Sequence, residues 1–231
     1  MKTIGLIGGM SWQSSVEYYR MINEDMRLRL GGHHNARSVM VSVDFAEAEA
    51  MMRGDDWDGL AQLLIDAGRR LEAAGADFVL LCTNTMHKLA DRLQAAIEIP
   101  LLSIVEVTAS EVRSAGLSRV ALLGTRFVMR EPFYVRQLSE RGVEALVPEA
   151  ADQIEVDRII FEELTHGRIT DASRQAYLRV IDRLQARGAQ GVILGCTEIG
   201  LLLKQDDCAL PLFDTSLIHA RAAVDHALSR I

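Results

Sequence analysis

The sequence predicts an α/β protein of two similar lobes, each a parallel sheet covered by helices on both faces. Three observations predict it. Short, nearly continuous apolar strands alternate with amphipathic helices, the signature of buried parallel strands. Two stretches of the chain repeat each other at a spacing of 114 residues. And 231 residues, 49% of them apolar, supply enough material for a sizeable core.

The first strand is Lys2-Thr-Ile-Gly-Leu-Ile-Gly8, running into Gly9-Met10-Ser11-Trp12 and a helix that Ser11 or Ser14 caps. A second strand, Ser38-Val-Met-Val-Ser-Val-Asp44, precedes a segment in which Leu60, Leu63, Leu64, Ala67, Leu71 and Ala74 follow helical spacing. Asp55 or Asp56 caps that helix and Gly75 ends it. Phe78-Val-Leu-Leu81 and Pro100-Leu-Leu-Ser-Ile104 are the next strands, with helices starting near Thr85 and Val105.

From Ser118 the rhythm starts again. Arg119-Val-Ala-Leu-Leu123 enters Gly124-Thr125, then come a helix near Phe133 to Arg141, a strand from Val143 to Val147, helices over 152–166 and 170–187, and a strand from Val192 to Leu194. Leu71-Glu-Ala-Ala-Gly-Ala-Asp-Phe-Val-Leu-Leu-Cys82-Thr83-Asn84 and Leu184-Gln-Ala-Arg-Gly-Ala-Gln-Gly-Val-Ile-Leu-Gly-Cys196-Thr197-Glu198 share a helix end, a Gly-Ala turn, a strand and a Cys-Thr pair, with one residue inserted. Gly8 to Cys82 spans 74 residues and Gly124 to Cys196 spans 72, which places both anchors in register. This is an internal duplication. It divides the chain into a first lobe of residues 1–105 plus 215–231 and a second of 106–214, with the last helix, Ser216 to Leu228, packing back on the first lobe.

Composition excludes several function classes. With 25 basic and 32 acidic residues the net charge is −7, so a surface that tracks nucleic-acid phosphates or acidic lipids has no electrostatic support. No apolar run approaches the roughly 20 residues of a spanning helix, and the apolar stretch Ile4 to Met10 is interrupted by glycines, too short for a signal peptide. The expectation is a cytoplasmic protein without membrane or nucleic-acid partners. Three cysteines, at 82, 196 and 208, with no CxxC pair, argue against a disulfide framework and a structural zinc site.

The cysteines therefore matter, if at all, as thiols. In an open parallel sheet, ligands bind beyond the carboxyl ends of the strands, where the next helix presents unpaired N–H groups. Cys82 and Cys196 both stand there, and proximity to a helix N-terminus predicts a lowered thiol pKa. A cysteine at a strand end also serves as a small hydrophobe, but hydrophobic filling does not require both repeats to keep Cys-Thr at the turn. If the lobes face each other about a pseudo-twofold axis, the sulfurs flank a shared cleft from opposite sides. Two bases on opposite faces of a carbon can remove a proton from one face and return one to the other, the arrangement for stereoinversion. Thr83, Asn84, Thr85, Thr197 and the following N–H groups then bind a carboxylate as its charge grows towards an enediolate. The glycine turns Gly8-Gly9 and Gly124-Thr125 let backbone approach the same ligand.

Gly5-Leu-Ile-Gly-Gly-Met-Ser-Trp12, Cys82-Thr-Asn-Thr-Met-His87 and Gly195-Cys-Thr-Glu-Ile199 resemble the three signature segments of the aspartate/glutamate racemase family, in its broad-specificity amino-acid racemase branch. The resemblance covers essentially the whole chain. It implies two Rossmann-like lobes of flavodoxin-like strand order, a homodimer, no cofactor, and Cys82 and Cys196 alternating as proton acceptor and donor. Some relatives carry Thr in place of one cysteine; both are present here, so racemisation in both directions is implied. Met10, Arg53, Thr83, Asn84, Thr85, Thr197 and Glu198 are implied to line the substrate site. Arg53, placed in a loop, is implied to grip the side-chain carboxylate of an acidic substrate, against the alternative of an ordinary surface arginine. Certain relatives place a lysine near the segment corresponding to Leu164-Thr-His-Gly-Arg168; none stands there, leaving His166 or Arg168 as substitutes.

Other candidates point elsewhere. Gly5-Leu-Ile-Gly8-Gly9 lacks the G-x-G-x-x-G spacing of a dinucleotide loop and reads as substrate-facing. His33-His34 lie in a polar glycine-rich turn, so no metal is expected. His87 and His219 either assist the site or are satisfied histidines at helix termini. Cys208 has no counterpart in the repeat, and Met21, Met26, Met40, Met51 and Met52 read as packing.

The expectation is a cofactor-independent amino-acid racemase working by thiol and thiolate on a small-molecule substrate, aspartate, glutamate or a broader set. No lysine sits in a motif suited to a Schiff base. The alternatives are a hydantoin racemase, maleate isomerase or arylmalonate decarboxylase on the same scaffold, and a non-catalytic two-lobe carboxylate-binding protein. A nucleotide-dependent oxidoreductase is disfavoured by the missing fingerprint.

Overall fold

The computed structural model describes residues 1–229. The chain separates into two compact units, residues 1–104 with 219 onward, and residues 105–218. Each contains one four-stranded parallel sheet, and the two sheets share one strand order.

In the first unit the order is β2-β1-β3-β4, formed by β1 Ile4–Gly8, β2 Ser38–Ser42, β3 Phe78–Leu81 and β4 Leu101–Leu102. Ile4 pairs with both Ser38 and Phe78, which makes β1 a central strand, apolar and buried throughout. In the second unit the order is β6-β5-β7-β8, formed by β5 Arg119–Gly124, β6 Glu144–Leu146, β7 Val192–Gly195 and β8 Leu212–Asp214. Both orders reverse direction beside the first strand, the switch point at which α/β sheets bind ligands.

Helix α1, Trp12–Leu30, starts at Ser11, whose hydroxyl accepts the Ser14 N–H, and ends at Gly31, where φ is +74°. Its Tyr18, Ile22 and Met26 recur on one face and pack with Ile4, Leu6, Phe78 and Leu80. Ala220, Ala223, Val224 and Ala227 of α11, Thr215–Leu228, close the same core, their small side chains permitting close approach. Full burial of each large side chain contributes about 1.5–3 kcal/mol. Between the strands lie α2 Phe45–Arg53, α3 Trp57–Ala73 and a 3-10 turn Thr85–Leu89 leading into α4 Ala90–Gln94, and α5 Ile104–Ser114 carries the chain from the first unit into the second. In the second unit, α6 Arg126–Arg130, α7 Pro132–Glu140, α8 Ala150–Glu162, α9 Asp171–Ala186 and α10 Ile199–Leu202 play these parts. Val156, Ile159 and Ile160 of α8 meet Tyr177, Val180, Ile181 and Leu184 of α9 in its core.

Four departures from the sequence expectation have local causes. Asp44 ends β2 by capping α2, its carboxylate accepting the Ala46 N–H at 3.0 Å, so a helix occupies residues expected as loop. Arg53, expected in a loop, is the last residue of that helix. The strand expected over Pro100 to Ile104 keeps only two residues, because Ile104 already begins α5. Strand β8 was not anticipated, although Pro211-Leu-Phe213 stands to β7 as Pro100-Leu-Leu102 stands to β3. Among the described residues, no helix is long and apolar enough to cross a membrane.

Candidate active site

The first thiol is set by sheet pairing. The Cys82 N–H donates to the Ile7 carbonyl at 3.0 Å, fixing Cys82 beside the carboxyl end of β1. Its own carbonyl accepts the Ser14 hydroxyl at 3.2 Å, which ties the turn to the start of α1. Ser15 completes this junction by accepting the Gly9 N–H at 2.8 Å and donating to the Ser11 carbonyl at 2.9 Å. Gly9 has φ +91°, and a β-carbon there would lie 2.1 Å from the Val43 carbonyl oxygen. The glycine turn expected to admit a ligand is thus required by the unit's own packing. Met10, Thr83, Asn84 and Thr85 are buried around the same strand ends.

His87 holds the far side of this turn. Its Nδ1 lies 2.8 Å from the Thr83 carbonyl, which only accepts, so Nδ1 carries the proton and Nε2 accepts the Ile104 N–H at 3.1 Å. His219 adopts the opposite tautomer: Nε2 donates to the Leu102 carbonyl at 2.9 Å and Nδ1 accepts the Tyr18 hydroxyl at 2.9 Å. Burial lowers His87 from 6.5 to about 4, and burial with the neighbouring His87 lowers His219 to about 3. Of the two roles open to these histidines, the structure gives the satisfied, neutral one.

The second thiol follows β7, as the first follows β3. Cys196 Sγ lies 3.0 Å from Glu198 Oε2, and the Thr197 hydroxyl donates to the same oxygen at 2.7 Å. Glu198, expected as a substrate contact, is buried with its carboxylate on these two neighbours. The sheet behind is drawn close by glycine: a β-carbon on Gly124 would stand 2.7 Å from the Gly195 carbonyl oxygen.

Neither thiol is lowered, as helix N-termini had led one to expect. The Cys82 thiol is fully buried and pushed far above its ordinary range by desolvation. Cys196 is pushed up by burial first and then by the Glu198 carboxylate. The elements that follow are a 3-10 turn and a four-residue helix, too short for a helix dipole to offset desolvation. A thiolate at either position therefore needs its charge compensated by a bound ligand or a proton transfer.

Arg53 stands apart from the buried turn residues. Its guanidinium bonds Glu49 at 2.6 Å one helical turn back, with 71% of its side chain exposed. His166 and Arg168 are also exposed, and the Arg168 guanidinium donates to the Glu162 carbonyl. Sequence reasoning missed Ser15, the bond from Ser14, expected only as a cap, to the Cys82 carbonyl, and the partners that make His87 a clamp. The Thr83-to-His87 spacing of one helical turn was the available signal for the clamp. Among the described residues, no group of three or more His, Cys, Asp or Glu is placed to hold a metal ion.

The model of the Asp/Glu/hydantoin racemase family matches residues 7–223. The chain is 27% identical over 176 residues to the broad specificity amino-acid racemase RacX of Bacillus subtilis (strain 168), covering 75% of each. Its fold is similar to a Yersinia pestis structure described as a candidate Asp/Glu racemase, with TM-score 0.93 and 49% identity over 99% of this chain and 100% of that one. A Pyrococcus horikoshii OT3 structure, described as an aspartate racemase homologue, has TM-score 0.87 and 35% identity over 99% of this chain and 100% of its own.

Proposed function

Because the chain belongs to the Asp/Glu/hydantoin racemase family, we propose that it is a cofactor-independent amino-acid racemase in which Cys82 and Cys196 work on opposite faces of one α-carbon. The observation that carries this reading is the pair of Cys-Thr turns at equivalent strand ends of two sheets with the same order. One sulfur, as thiolate, takes the α-proton; the C–H pair moves into an enediolate; the other thiol delivers its proton to the opposite face. Protons and charge balance, and the two sulfurs have exchanged states.

The α-hydrogen beside an ammonium and a carboxylate is weakly acidic, so the site must stabilise the enediolate in the transition state. Thr83, Asn84, Thr85 and Thr197 and the adjoining backbone N–H groups serve that carboxylate, each well-placed donor contributing on the order of 100-fold or more. Met10 lines the pocket. Burial of the thiols agrees with this chemistry, since a desolvated thiolate is a stronger base than a hydrated one. Arg53 is the group proposed to meet a side-chain carboxylate, which requires it to leave Glu49. The substrates proposed are aspartate, glutamate or a broader set, in line with the broad specificity named for the Bacillus subtilis relative. Homodimer formation is part of the proposal and is checked by sedimentation velocity.

The test is proton NMR in deuterium oxide with a panel of L- and D-amino acids and no added cofactor. Loss of the α-proton signal with appearance of the opposite enantiomer is the expected result. An unchanged α-proton on every acidic, amide and neutral amino acid removes the reading.

A further inference from the structure

The two Cys-Thr turns differ in the residue that follows Thr: Asn84 in the first, Glu198 in the second. These side chains differ by one methylene and by a full charge. Glu198 Oε2 is 3.0 Å from Cys196 Sγ and 2.7 Å from Thr197 Oγ1. A carboxylate oxygen only accepts, so both contacts require the neighbour to bring the hydrogen, and the sulfur must be S–H. The Cys82 sulfur makes no side-chain hydrogen bond among the described residues.

We propose that Glu198 is a positioning residue that holds Cys196 as the proton-bearing thiol of the resting protein, leaving Cys82 to take the first α-proton. The kinetic meaning of this assignment rests on the racemase reading; the thiol chemistry does not. Other groups face Cys196 as well. Asp157 of α8, whose carboxylate accepts the Arg126 N–H at 2.6 Å, disfavours a thiolate in the same sense as Glu198. Tyr177 of α9 is buried and donates its hydroxyl to the Val156 carbonyl at 3.2 Å, remaining neutral. The Glu198 backbone N–H acts the other way, by supporting negative charge on the sulfur.

In turnover the Cys82 thiolate removes the α-proton and the Cys196 S–H bond breaks as a C–H bond forms on the other face. The electron pair stays on the Cys196 sulfur. This leaves a thiolate against a carboxylate, the less favoured of the two protonation forms. The enantiomer that must bind this minor form has its apparent affinity reduced by the fraction populated. Enantiomers have equal free energy, so kcat/KM stays equal in the two directions. The inequality therefore appears as a higher KM matched by a higher kcat on one side.

The experiment compares iodoacetamide alkylation of native protein and Glu198→Gln from neutral to alkaline pH, with each cysteine followed by peptide mass. In the variant, Cys196 is expected to react at lower pH, while Cys82 keeps its native profile as internal reference. Each unit of downward shift gives tenfold more thiolate but a weaker nucleophile, for a net gain of about three- to fourfold at a fixed pH below the pKa. The ratio of KM values for the two enantiomers moves towards one. An unshifted Cys196 profile overturns the proposal. If Glu198→Gln does not fold, Glu198→Asp withdraws the carboxylate by one methylene and carries the same expectation with a smaller shift; a native profile there overturns it equally. A shifted profile with no α-hydrogen exchange keeps the thiol assignment and removes the racemase reading, whereas an unshifted profile in an active racemase does the reverse.

Discussion

The turn after β3 and the turn after β7 share strand order, a Cys-Thr pair and a burial class, yet they control their thiols by different means. The first is held by neutral groups: Ser14 on the Cys82 carbonyl and His87 on the Thr83 carbonyl. The second is held by a charge, the Glu198 carboxylate shared between Cys196 and Thr197. Duplication kept what positions the sulfur and changed what sets its protonation. On the proposed mechanism the two thiols occupy opposite protonation states at the same moment, and such groups gain from being unlike.

The largest effect expected is on turnover. Cys82→Ala and Cys196→Ala should each lower interconversion of enantiomers by more than about 1,000-fold, since each removes a group that acts in the chemical step itself. The comparison sharpens in what remains: each variant keeps one thiol and should exchange the α-hydrogen of one enantiomer only, a different one in each case. Proton NMR in deuterium oxide with separate L and D substrate reads this. Exchange of both enantiomers by a single-cysteine variant would break the assignment of one thiol to one face.

Acid stability should separate the two units next. His87 and His219 both lie in the first unit, buried and neutral, whereas the second contains only the exposed His166. His87 falls from 6.5 to about 4 on folding, so the unfolded chain binds the proton more readily. Its contribution is full above pH 6.5 and is lost as pH falls through about 4, a change of about 3 kcal/mol. His219, lowered to about 3, adds to the loss from pH 6.5 down to about 3. The two tryptophans, Trp12 and Trp57, also lie in the first unit. On acidification, tryptophan fluorescence should therefore change before far-ultraviolet circular dichroism, and His87→Phe should erase much of that gap while destabilising the protein at neutral pH by about 2–4 kcal/mol, through two orphaned backbone partners. Coincident transitions in the native protein would sink this.

What the sequence disclosed follows the same division. Strands buried on both faces announce themselves by composition, so β1, β3, β5 and β7 were legible, and the repeat then fixed both cysteines at strand ends. The racemase family and the parallel two-sheet architecture expected from the motifs are those found. Edge strands were legible unevenly: β4 and β6 were expected but longer than the two and three residues they keep, and β8, three residues after a proline, carries too few for its periodicity to register. Thiol acidity was not legible. The rule that a helix N-terminus lowers a pKa presumes a helix of some length and a partly wet sulfur, and burial is a property of the folded chain. Glu198 was named from the motif as a substrate contact, but its attachment to Cys196 required the turn's geometry.

A smaller effect tests whether the asymmetry can be transplanted. Asn84→Asp puts a carboxylate into the first turn with nearly the shape of the amide. Alkylation of Cys82 should then slow at fixed pH by about threefold for each unit its thiol rises, with Cys196 unaffected. Faster alkylation of Cys82 would mean that charge at this position acts on the sulfur differently in the two turns, and the parallel between Asn84 and Glu198 would fail.

The smallest effect concerns Arg53, which ends α2, and Arg168, which follows α8; they occupy matching places between a strand and the next long helix of each sheet. Both are engaged within their own unit, Arg53 on Glu49 and Arg168 on the Glu162 carbonyl. An exposed pair one helical turn apart contributes only about 0.3–0.5 kcal/mol, so Arg53→Ala should leave the urea midpoint almost unchanged. The same small value makes Arg53 available, because a substrate carboxylate has little to displace. KM for aspartate and glutamate should then rise in the variant while KM for neutral amino acids stays put. An equal rise for both substrate classes would remove Arg53 from the binding of the side chain, and a rise produced instead by Arg168→Ala would move that role from the first sheet's unit to the second's.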